Sequence, residues 1–462
     1  MTSGELFATH ALLPQGWARD VLVRWDASGA LCSIETGTQA STAVPHAPGP
    51  LLPGMPNLHS HAFQRAFAGL TEFRGNPQDS FWSWRAEMYR FALRISPEAL
   101  QAIATQLYID MLKAGYTSVC EFHYVHHDTD GKPYADTAEL SLRLLAAAEA
   151  AGIGITLLPV LYQTAGFGGT SPLEHQRRFI HSTDRMLALL ERLQPECAIP
   201  GRKLGLAPHS LRAVPPDSLR VAVEALHALD ADAPVHIHIA EQVQEVQDCL
   251  KWSGQRPVAW LLDHAALDKR WCLVHATHLD DDELARTAAS GAVVGICPTT
   301  EANLGDGIFP TERYLAAGGA WGIGSDSHIS VSVSEELRWL EYAQRLTTLR
   351  RNVLASETAP QVATRLYQAA VAGGAQASAR PVAGLATGQQ ADFVILDAGN
   401  ADVAGLAPDA ALSAHVFSHR GSPAIAEVWQ RGKRVVQHGQ HALDATAPRD
   451  YIAARTALLG DA

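Results

Sequence analysis

The sequence has 462 residues, 47% hydrophobic and 18% charged, which is typical of a globular protein. This length allows one large domain with a smaller one, or two to three domains of average size. The formal net charge of −12 argues against a nucleic-acid partner. No apolar run is long enough for a membrane span, the N-terminus lacks a signal-peptide pattern, and the six cysteines form no CxxC pair. We therefore expect a cytoplasmic protein with reduced thiols and no membrane partner.

Both ends of the chain carry short apolar runs that are separated by turn residues, which is typical of small antiparallel strands. These runs cover residues 5–8, 21–25, 31–34, 391–396 and 425–436. We therefore predict one small β domain that is built from residues 1–53 and 386–462. It includes a C-terminal helix, predicted at residues 448–459.

Strands and helices alternate between these ends, from residue 54 to residue 385. Eight strands are predicted, at residues 56–61, 118–122, 154–161, 203–208, 235–239, 271–275, 293–296 and 320–324. Helices are predicted between them at 97–114, 136–151, 183–193, 216–229 and 334–349. Eight such units indicate an α/β fold, a (β/α)8 TIM-like barrel. A doubly wound open sheet is the alternative, although no GxGxxG motif follows the first strand.

Histidines and one aspartate lie at the ends of the predicted strands. They are His59 and His61 (first strand), His123 with Tyr124 (second), His209 (fourth), His238 (fifth), His275 (sixth) and Asp326 (eighth). In a barrel these positions face one rim, where active sites lie. Imidazole and carboxylate groups are ligands that Zn²⁺ prefers. The pattern therefore predicts a metal site at this rim.

His238 and Glu241 form an HxxE pattern at the end of the fifth strand. A carboxylate three residues beyond a metal ligand can take a proton from water at the metal and later return it. We interpret His236 as a barrel-interior histidine that is satisfied by a hydrogen bond. Cys297 ends a strand without an activating base nearby, so we interpret it as a core residue.

These motifs resemble the amidohydrolase superfamily and, more narrowly, its formimidoylglutamate deiminases. The similar segments are MPNLHSHAFQRAFAG (55–69), DSFWSWR (79–85), EFHYVHHD (121–128), HSLRAVP (209–215), HIHIAEQ (236–242), LVHATH (273–278), TEANLGDGIFP (300–310), GIGSDSH (322–328) and the tail segment 384–394. The resemblance covers nearly the whole chain.

The resemblance implies one Zn²⁺ per chain, with Fe²⁺ as another candidate, held by His59, His61, His238 and Asp326. Members with two metals use a bridging lysine at a strand end. The third and fourth predicted strands end in Leu161 and His209 without one. A single metal is therefore expected.

The resemblance also implies roles for the other residues of the rim. Glu241 would shuttle the proton, His275 would polarise the attacking water or the intermediate, and Asp326 would accept the second proton. The implied substrate-binding residues are Gln64, Arg85, Tyr124, His209 and Arg212.

The implied reaction is the zinc-dependent hydrolytic deimination of N-formimino-L-glutamate to N-formyl-L-glutamate and ammonia, in histidine degradation. Arg85 and Arg212 would bind the two carboxylates of this small-molecule substrate. They argue against the alternative of a deaminase for a heterocycle such as guanine or cytosine. Glu241, which need not bind metal, argues against a non-catalytic metal-storing or scaffold barrel. A homodimer is left open.

Overall fold

Strands and helices alternate through most of the chain in the computed structural model, which describes residues 3–72, 81–418 and 424–460. Residues 79–80 of the segment 79–85 lie outside the described residues. The strands are β1 (Gly4–Leu13), β2 (Gly16–Trp25), β3 (Leu31–Glu35), β4 (Leu51–Pro53), β5 (Met55–Ser60), β6 (Tyr116–His123), β7 (Gly154–Leu161), β8 (Arg202–Leu204), β9 (Ala207–Pro208), β10 (Val235–Ile239), β11 (Trp271–His275), β12 (Val293–Ile296), β13 (Ala320–Ile323), β14 (Phe393–Leu396), β15 (Ile425–Gln430), β16 (Lys433–Gln437) and β17 (Gln440–His441).

Several helices begin at a capping side chain or a proline. Ser96, for example, precedes Pro97 and accepts a hydrogen bond from the backbone N–H of Ala99. The helices are α1 (Phe81–Ala92), α2 (Pro97–Lys113), α3 (Glu139–Ala151), α4 (Thr183–Cys197), α5 (Pro216–Leu229), α6 (Val243–Ser253), α7 (Pro257–His264), α8 (Asp281–Ser290), α9 (Pro298–Leu304), α10 (Thr311–Ala316), α11 (Val333–Thr348), α12 (Val362–Ser378), α13 (Pro408–Phe417) and α14 (Ala447–Leu459). None of the helices within the described ranges is long and apolar enough to span a membrane.

The middle of the chain forms a closed barrel of parallel strands. β5 to β9 pair in one group and β10 to β13 in another. Parallel bridges join the two groups at both seams, between Ser60 and Asp326 and between Leu206 and Val235. The predicted (β/α)8 barrel is thereby confirmed over the open sheet.

The fourth barrel strand is interrupted, whereas the sequence predicted one continuous strand over residues 203–208. Gly205 separates β8 from β9, and a Cβ at this position would lie 2.5 Å from the carbonyl oxygen of Pro234. The next residue, Leu206, donates its N–H to that same oxygen at 3.0 Å. The close approach of Pro234 therefore requires glycine at this position, and beyond the break β9 pairs with β7 again.

Both chain ends contribute to one eight-stranded sheet beside the barrel, in the order β17-β16-β15-β14-β4-β1-β2-β3. β4 links the two halves because it pairs with β1 on one side and with β14 on the other. The predicted β domain from both ends is therefore confirmed. The division into residues 1–53, 54–385 and 386–462 stays a prediction.

Helix α12, which the sequence analysis did not predict, packs against β13 and β5. A Cβ on Gly373 would lie 1.8 Å from the backbone oxygen of Trp321, so the glycine permits this close approach. Near the end of α12, the carbonyl oxygen of Ala377 lies 2.8 Å from Nε2 of His236. The interpretation of His236 as a hydrogen-bonded interior residue is confirmed. Cys297 is fully buried, as predicted, and burial raises the pKa of its thiol.

Candidate metal-dependent active site

Three imidazoles and one carboxylate converge at the barrel rim. Nε2 of His59 lies 3.0 Å from Nε2 of both His61 and His238. Oδ1 of Asp326 lies 3.4 Å from Nε2 of His59 and 3.3 Å from Nε2 of His61. Ligand atoms around a tetrahedral zinc ion are about 3.3 Å apart, given Zn–N bonds near 2.05 Å. The four side chains therefore fit a single divalent cation.

Backbone carbonyl groups orient two of these imidazoles. Nδ1 of His61 lies 2.8 Å from the oxygen of Phe122, and Nδ1 of His238 lies 3.1 Å from the oxygen of His209. An Nδ1–H that donates outward leaves the lone pair of Nε2 directed at the centre. Burial lowers the pKa of His59 to about 3, so its ring is neutral and able to bind a metal.

Glu121 fixes the backbone between His59 and His61, and the sequence analysis missed this role. Its carboxylate accepts hydrogen bonds from Ser60 Oγ and from the N–H of Ala62, both at 2.6 Å. Alternation along β5 turns Ser60 away from the two histidines, towards this carboxylate. Glu121 lies within the segment 121–128, but no spacing rule connects it to Ser60.

Glu241 and His275 lie beside the four candidate ligands, and both are buried. Nε2 of His275 is 3.7 Å from Glu241 Oε1 and 3.8 Å from Asp326 Oδ2. Burial raises the pKa of Glu241 to about 6 against the opposing effect of His275. Burial alone would lower the pKa of His275, but the carboxylates of Glu241, Glu301 and Asp326 outweigh it and raise the value to about 10. The carboxyl group of Glu241 can therefore exchange protons near neutral pH.

Left-handed backbone conformations occur where the site strands end. The φ angles of Ala240, His275 and Asp326 are 52°, 68° and 44°. Such conformations are uncommon for residues other than glycine, and they cluster at functional sites. Here they turn the chain out of the barrel directly beside the candidate ligands.

A cavity above these groups contains all the predicted site residues except His59, which lies fully buried beneath it. Within it, Gln64 Nε2 donates to the hydroxyl of Tyr124 at 2.7 Å, and Arg85 donates to the hydroxyl of Tyr162 at 2.9 Å. The lining residues are His61, Gln64, Trp84, Arg85, Met88, Tyr124, His209, Arg212, His238, Glu241, His275, Leu304 and Asp326.

The guanidinium of Arg212 is incompletely satisfied. Its Nε is buried and donates to none of the described residues. A buried donor without an acceptor costs about 1–3 kcal/mol, which an anionic ligand would recover. Arg85 and Arg212 line the same cavity, so that cavity suits a molecule with negatively charged groups.

His123 does not line this cavity, although it lies at a strand end. Its ring packs 5.2 Å from the ring of His126, centroid to centroid, and its Nε2 is buried without a partner among the described residues. Neighbouring side chains of a strand point in opposite directions. The side chain of Tyr124 therefore reaches the cavity, while that of His123 points away from it.

Two further carboxyl groups next to the site were not identified from the sequence. Oε1 of Glu301 lies 3.2 Å from Nδ1 of His275. Asp306 has one carboxylate oxygen within 4.8 Å of ligand atoms of Glu241 and His275, and its buried Oδ2 has no partner among the described residues. Both lie in the segment 300–310, whose resemblance to the family was the available signal.

Comparisons with known proteins identify the family. Residues 51–435 match the amidohydrolase family, and residues 5–44 match the N-terminal domain of formimidoylglutamate deiminase HutF. A formimidoylglutamate deiminase from Pseudomonas aeruginosa is 54% identical over 97% of this chain and 98% of its own. A 5-methylthioadenosine/S-adenosylhomocysteine deaminase from Natronomonas pharaonis is 28% identical, over 80% of this chain and 78% of its own.

The structural comparison agrees with the sequence comparison. The crystal structure of an amidohydrolase from Brucella melitensis has a TM-score of 0.92 and 48% sequence identity, covering 99% of this chain and 100% of that one. The chain therefore belongs to the amidohydrolase family and, within it, to the formimidoylglutamate deiminase family.

Proposed function

We propose that this protein is a cytoplasmic enzyme that hydrolyses N-formimino-L-glutamate to N-formyl-L-glutamate and ammonia in histidine degradation. One observation carries the proposal: a single cavity has a metal-ligand group and Glu241 at its base, and Arg85 and Arg212 in its walls. Hydrolysis of the formimino group needs the metal ligands and Glu241. Binding of the two substrate carboxylates needs the two arginines. The 54% identity with a formimidoylglutamate deiminase supports the same assignment.

His59, His61, His238 and Asp326 would hold one divalent cation, with Zn²⁺ as the first candidate and Fe²⁺ as the second. Their convergent, neutral Nε2 atoms and one carboxylate oxygen are the donor set that Zn²⁺ prefers. When bound, such a cation acts as a Lewis acid and lowers the pKa of water to about 7.

Glu241 would take a proton from the attacking water while the oxygen of that water adds to the imino carbon. The bond between this carbon and the terminal nitrogen then breaks, and Glu241 delivers its proton to the departing nitrogen. The Nε2–H of His275, directed towards Glu241 and Asp326, would donate a hydrogen bond to the added oxygen. Asp326 would accept the second proton, so that the products are the formyl group and ammonia.

Arg85 and Arg212 would bind the two carboxylates of the glutamate part through their planar guanidinium groups. Gln64, Tyr124 and His209 would complete the binding site as hydrogen-bond partners. The hydrogen bond between Gln64 and Tyr124 fixes how both side chains face the cavity. These contacts would hold the substrate by its glutamate part, at a distance from the reacting carbon. The imino group would thereby be oriented towards Glu241.

The proposal is tested by ammonia release from the purified protein, with formiminoglutamate and guanine as separate substrates. We expect ammonia from formiminoglutamate only, with loss of activity in a chelator and recovery when Zn²⁺ is added back. Ammonia from guanine alone would instead favour the heterocycle deaminase. No ammonia from either substrate in metal-loaded protein would reject the assigned reaction.

A further inference from the structure

Glu301 lies directly behind His275, on the side opposite the cavity base. Its Oε1 is 3.2 Å from Nδ1 of His275, while Nε2 of the same ring faces Glu241 and Asp326. Both His275 and Glu301 are at least nine-tenths buried. The imidazole is therefore placed between one carboxylate behind it and two carboxylates in front of it.

The carboxylate of Glu301 is itself held in place by the backbone. Its Oε1 also accepts the N–H of Cys297 at 2.9 Å, and the N–H of Glu301 donates to the oxygen of Cys297 at 2.9 Å. No other described residue accepts a hydrogen bond from Nδ1 of His275. The orientation of this ring thus depends on a single oxygen atom whose own position is fixed at the start of α9.

An acceptor at Nδ1 prevents rotation of the imidazole about its Cβ–Cγ bond. With the ring held in this way, the Nε2–H that the proposed reaction uses stays directed at Glu241 and Asp326. If the acceptor is lost, the orientation of the His275 ring becomes variable.

We infer that Glu301 is a positioning residue, which holds His275 in the orientation that presents Nε2 to the reacting atoms by accepting its Nδ1–H. The inference rests on the proposed function, because Glu301 would act on the reaction only through His275. It also gives a role to the segment 300–310, to which the proposed reaction assigns none.

The test is a double-mutant cycle that compares Glu301→Ala in the parent enzyme and in a His275→Ala background. In the parent we expect kcat for formiminoglutamate to fall about 10- to 100-fold, the range known for loss of the hydrogen-bond partner of a metal-binding histidine. KM and metal content should be unchanged. In the His275→Ala background the same change should have no further effect on kcat. An equal loss of kcat in both backgrounds would overturn the inference.

Glu301→Gln provides the conservative variant. Because the N–H of Cys297 donates to the same oxygen that faces His275, the carbonyl oxygen of a glutamine should occupy that place. We expect this variant to keep most of the parent kcat. A loss as large as that of Glu301→Ala would contradict positioning through the acceptor atom.

Glu336 is a matched control, because this buried glutamate bonds to the start of the same helix but not to His275. Its Oε2 accepts the N–H of Thr299 at 2.9 Å. Any effect of Glu336→Gln on kcat should be the same in the parent and in the His275→Ala background. If the effect of Glu336→Gln on kcat depended on His275 as strongly as the effect of Glu301→Ala does, general damage to α9 would explain both results. That outcome would overturn the inference.

A spectroscopic measurement separates the inference from the proposed function. With ¹⁵N-labelled histidine, the hydrogen-bonded Nδ1–H of His275 should give a downfield proton signal, identified by its absence in His275→Ala. The signal should persist in Glu301→Gln and disappear in Glu301→Ala. If the signal persisted in Glu301→Ala, the inference would be overturned even if the enzyme deiminates its substrate. If the parent protein failed to deiminate formiminoglutamate, the proposed function would be rejected, but this signal would not change.

Discussion

The backbone N–H of Asp326 donates a hydrogen bond to the carbonyl oxygen of His59 over 3.0 Å. The N–H of His61 donates in turn to the oxygen of Asp326 at 3.3 Å. These bonds join β5 to the segment after β13, so they close the barrel at one seam. They also place three of the four candidate metal ligands side by side. Barrel closure and the candidate metal site therefore depend on the same backbone contacts.

One divalent metal per chain is the first expected outcome. His238→Ala should bind the metal much more weakly, because it removes one of the four side chains that would hold it. Metal analysis of the parent and of this variant provides the check, together with the melting temperature, since a metal that binds only the folded state stabilises it. Two metals in each active chain, or none, would contradict the single-site assignment.

Glu241→Gln should remove turnover and leave the metal content unchanged. The amide keeps the shape of the side chain but cannot accept a proton, and acid–base catalysis of this kind contributes about 100- to 10,000-fold. Steady-state ammonia release gives kcat. Glu341→Gln is the control, because Glu341 is equally buried but bonds to Arg345, Val353 and Leu354 instead. Activity near that of the parent in Glu241→Gln would show that the proton is transferred elsewhere.

Arg85→Met and Arg212→Met should each lower kcat/KM for formiminoglutamate by about 10- to 1,000-fold, because each removes a bidentate pair of charge-assisted hydrogen bonds to a carboxylate. The loss should be smaller for an analogue in which the matching carboxylate is a neutral amide. Lysine at either site should restore activity only in part. Arg220→Met, at an exposed ion pair with Glu224, is the control. Full activity of both variants would reject the dicarboxylate assignment.

The stability of the protein should decrease in mild acid through buried neutral histidines. Burial lowers the pKa of His126 to about 3, whereas histidine in an unfolded chain titrates near 6.5. Below that pH the unfolded state binds a proton that the folded state does not, so the free energy of unfolding falls as the pH decreases.

In His126→Gln this contribution is absent, while a side-chain donor for the oxygen of Val160 remains. Between pH 7 and pH 5 the variant should lose about 2 kcal/mol less of its unfolding free energy than the parent. Urea denaturation at both pH values measures the difference. An identical pH dependence of the two proteins would show that His126 does not contribute to acid sensitivity.

The strand ends explain why much of the site could be predicted from the sequence. In a parallel barrel the carboxyl ends of all strands face the same rim. His59, His61, His238, His275 and Asp326 could therefore be grouped without knowledge of the distances between them. Not every residue at a strand end reaches the cavity, because side chains along a strand point alternately to opposite sides. His123 therefore points away from the cavity and Tyr124 points towards it.

Contacts between distant segments could not be predicted in this way. The bonds of Glu121 to Ser60 and of Glu301 to His275 join residues whose spacing follows no helix or strand period. The break at Gly205 arises from the approach of Pro234, which belongs to the next segment. The roles of Arg85 and Arg212 came from the resemblance to the family and not from spacing.

The identity of the nitrogen that leaves tests the central claim most directly, because the imino carbon of formiminoglutamate is bonded to two nitrogens. Loss of the terminal nitrogen gives ammonia and N-formyl-L-glutamate, whereas loss of the other gives formamide and glutamate. We propose to follow the metal-loaded enzyme in ¹⁸O-labelled water by mass spectrometry and ammonia assay. The account predicts equal amounts of ammonia and N-formyl-L-glutamate, with one ¹⁸O in the formyl group. Formamide and glutamate as the products would contradict it.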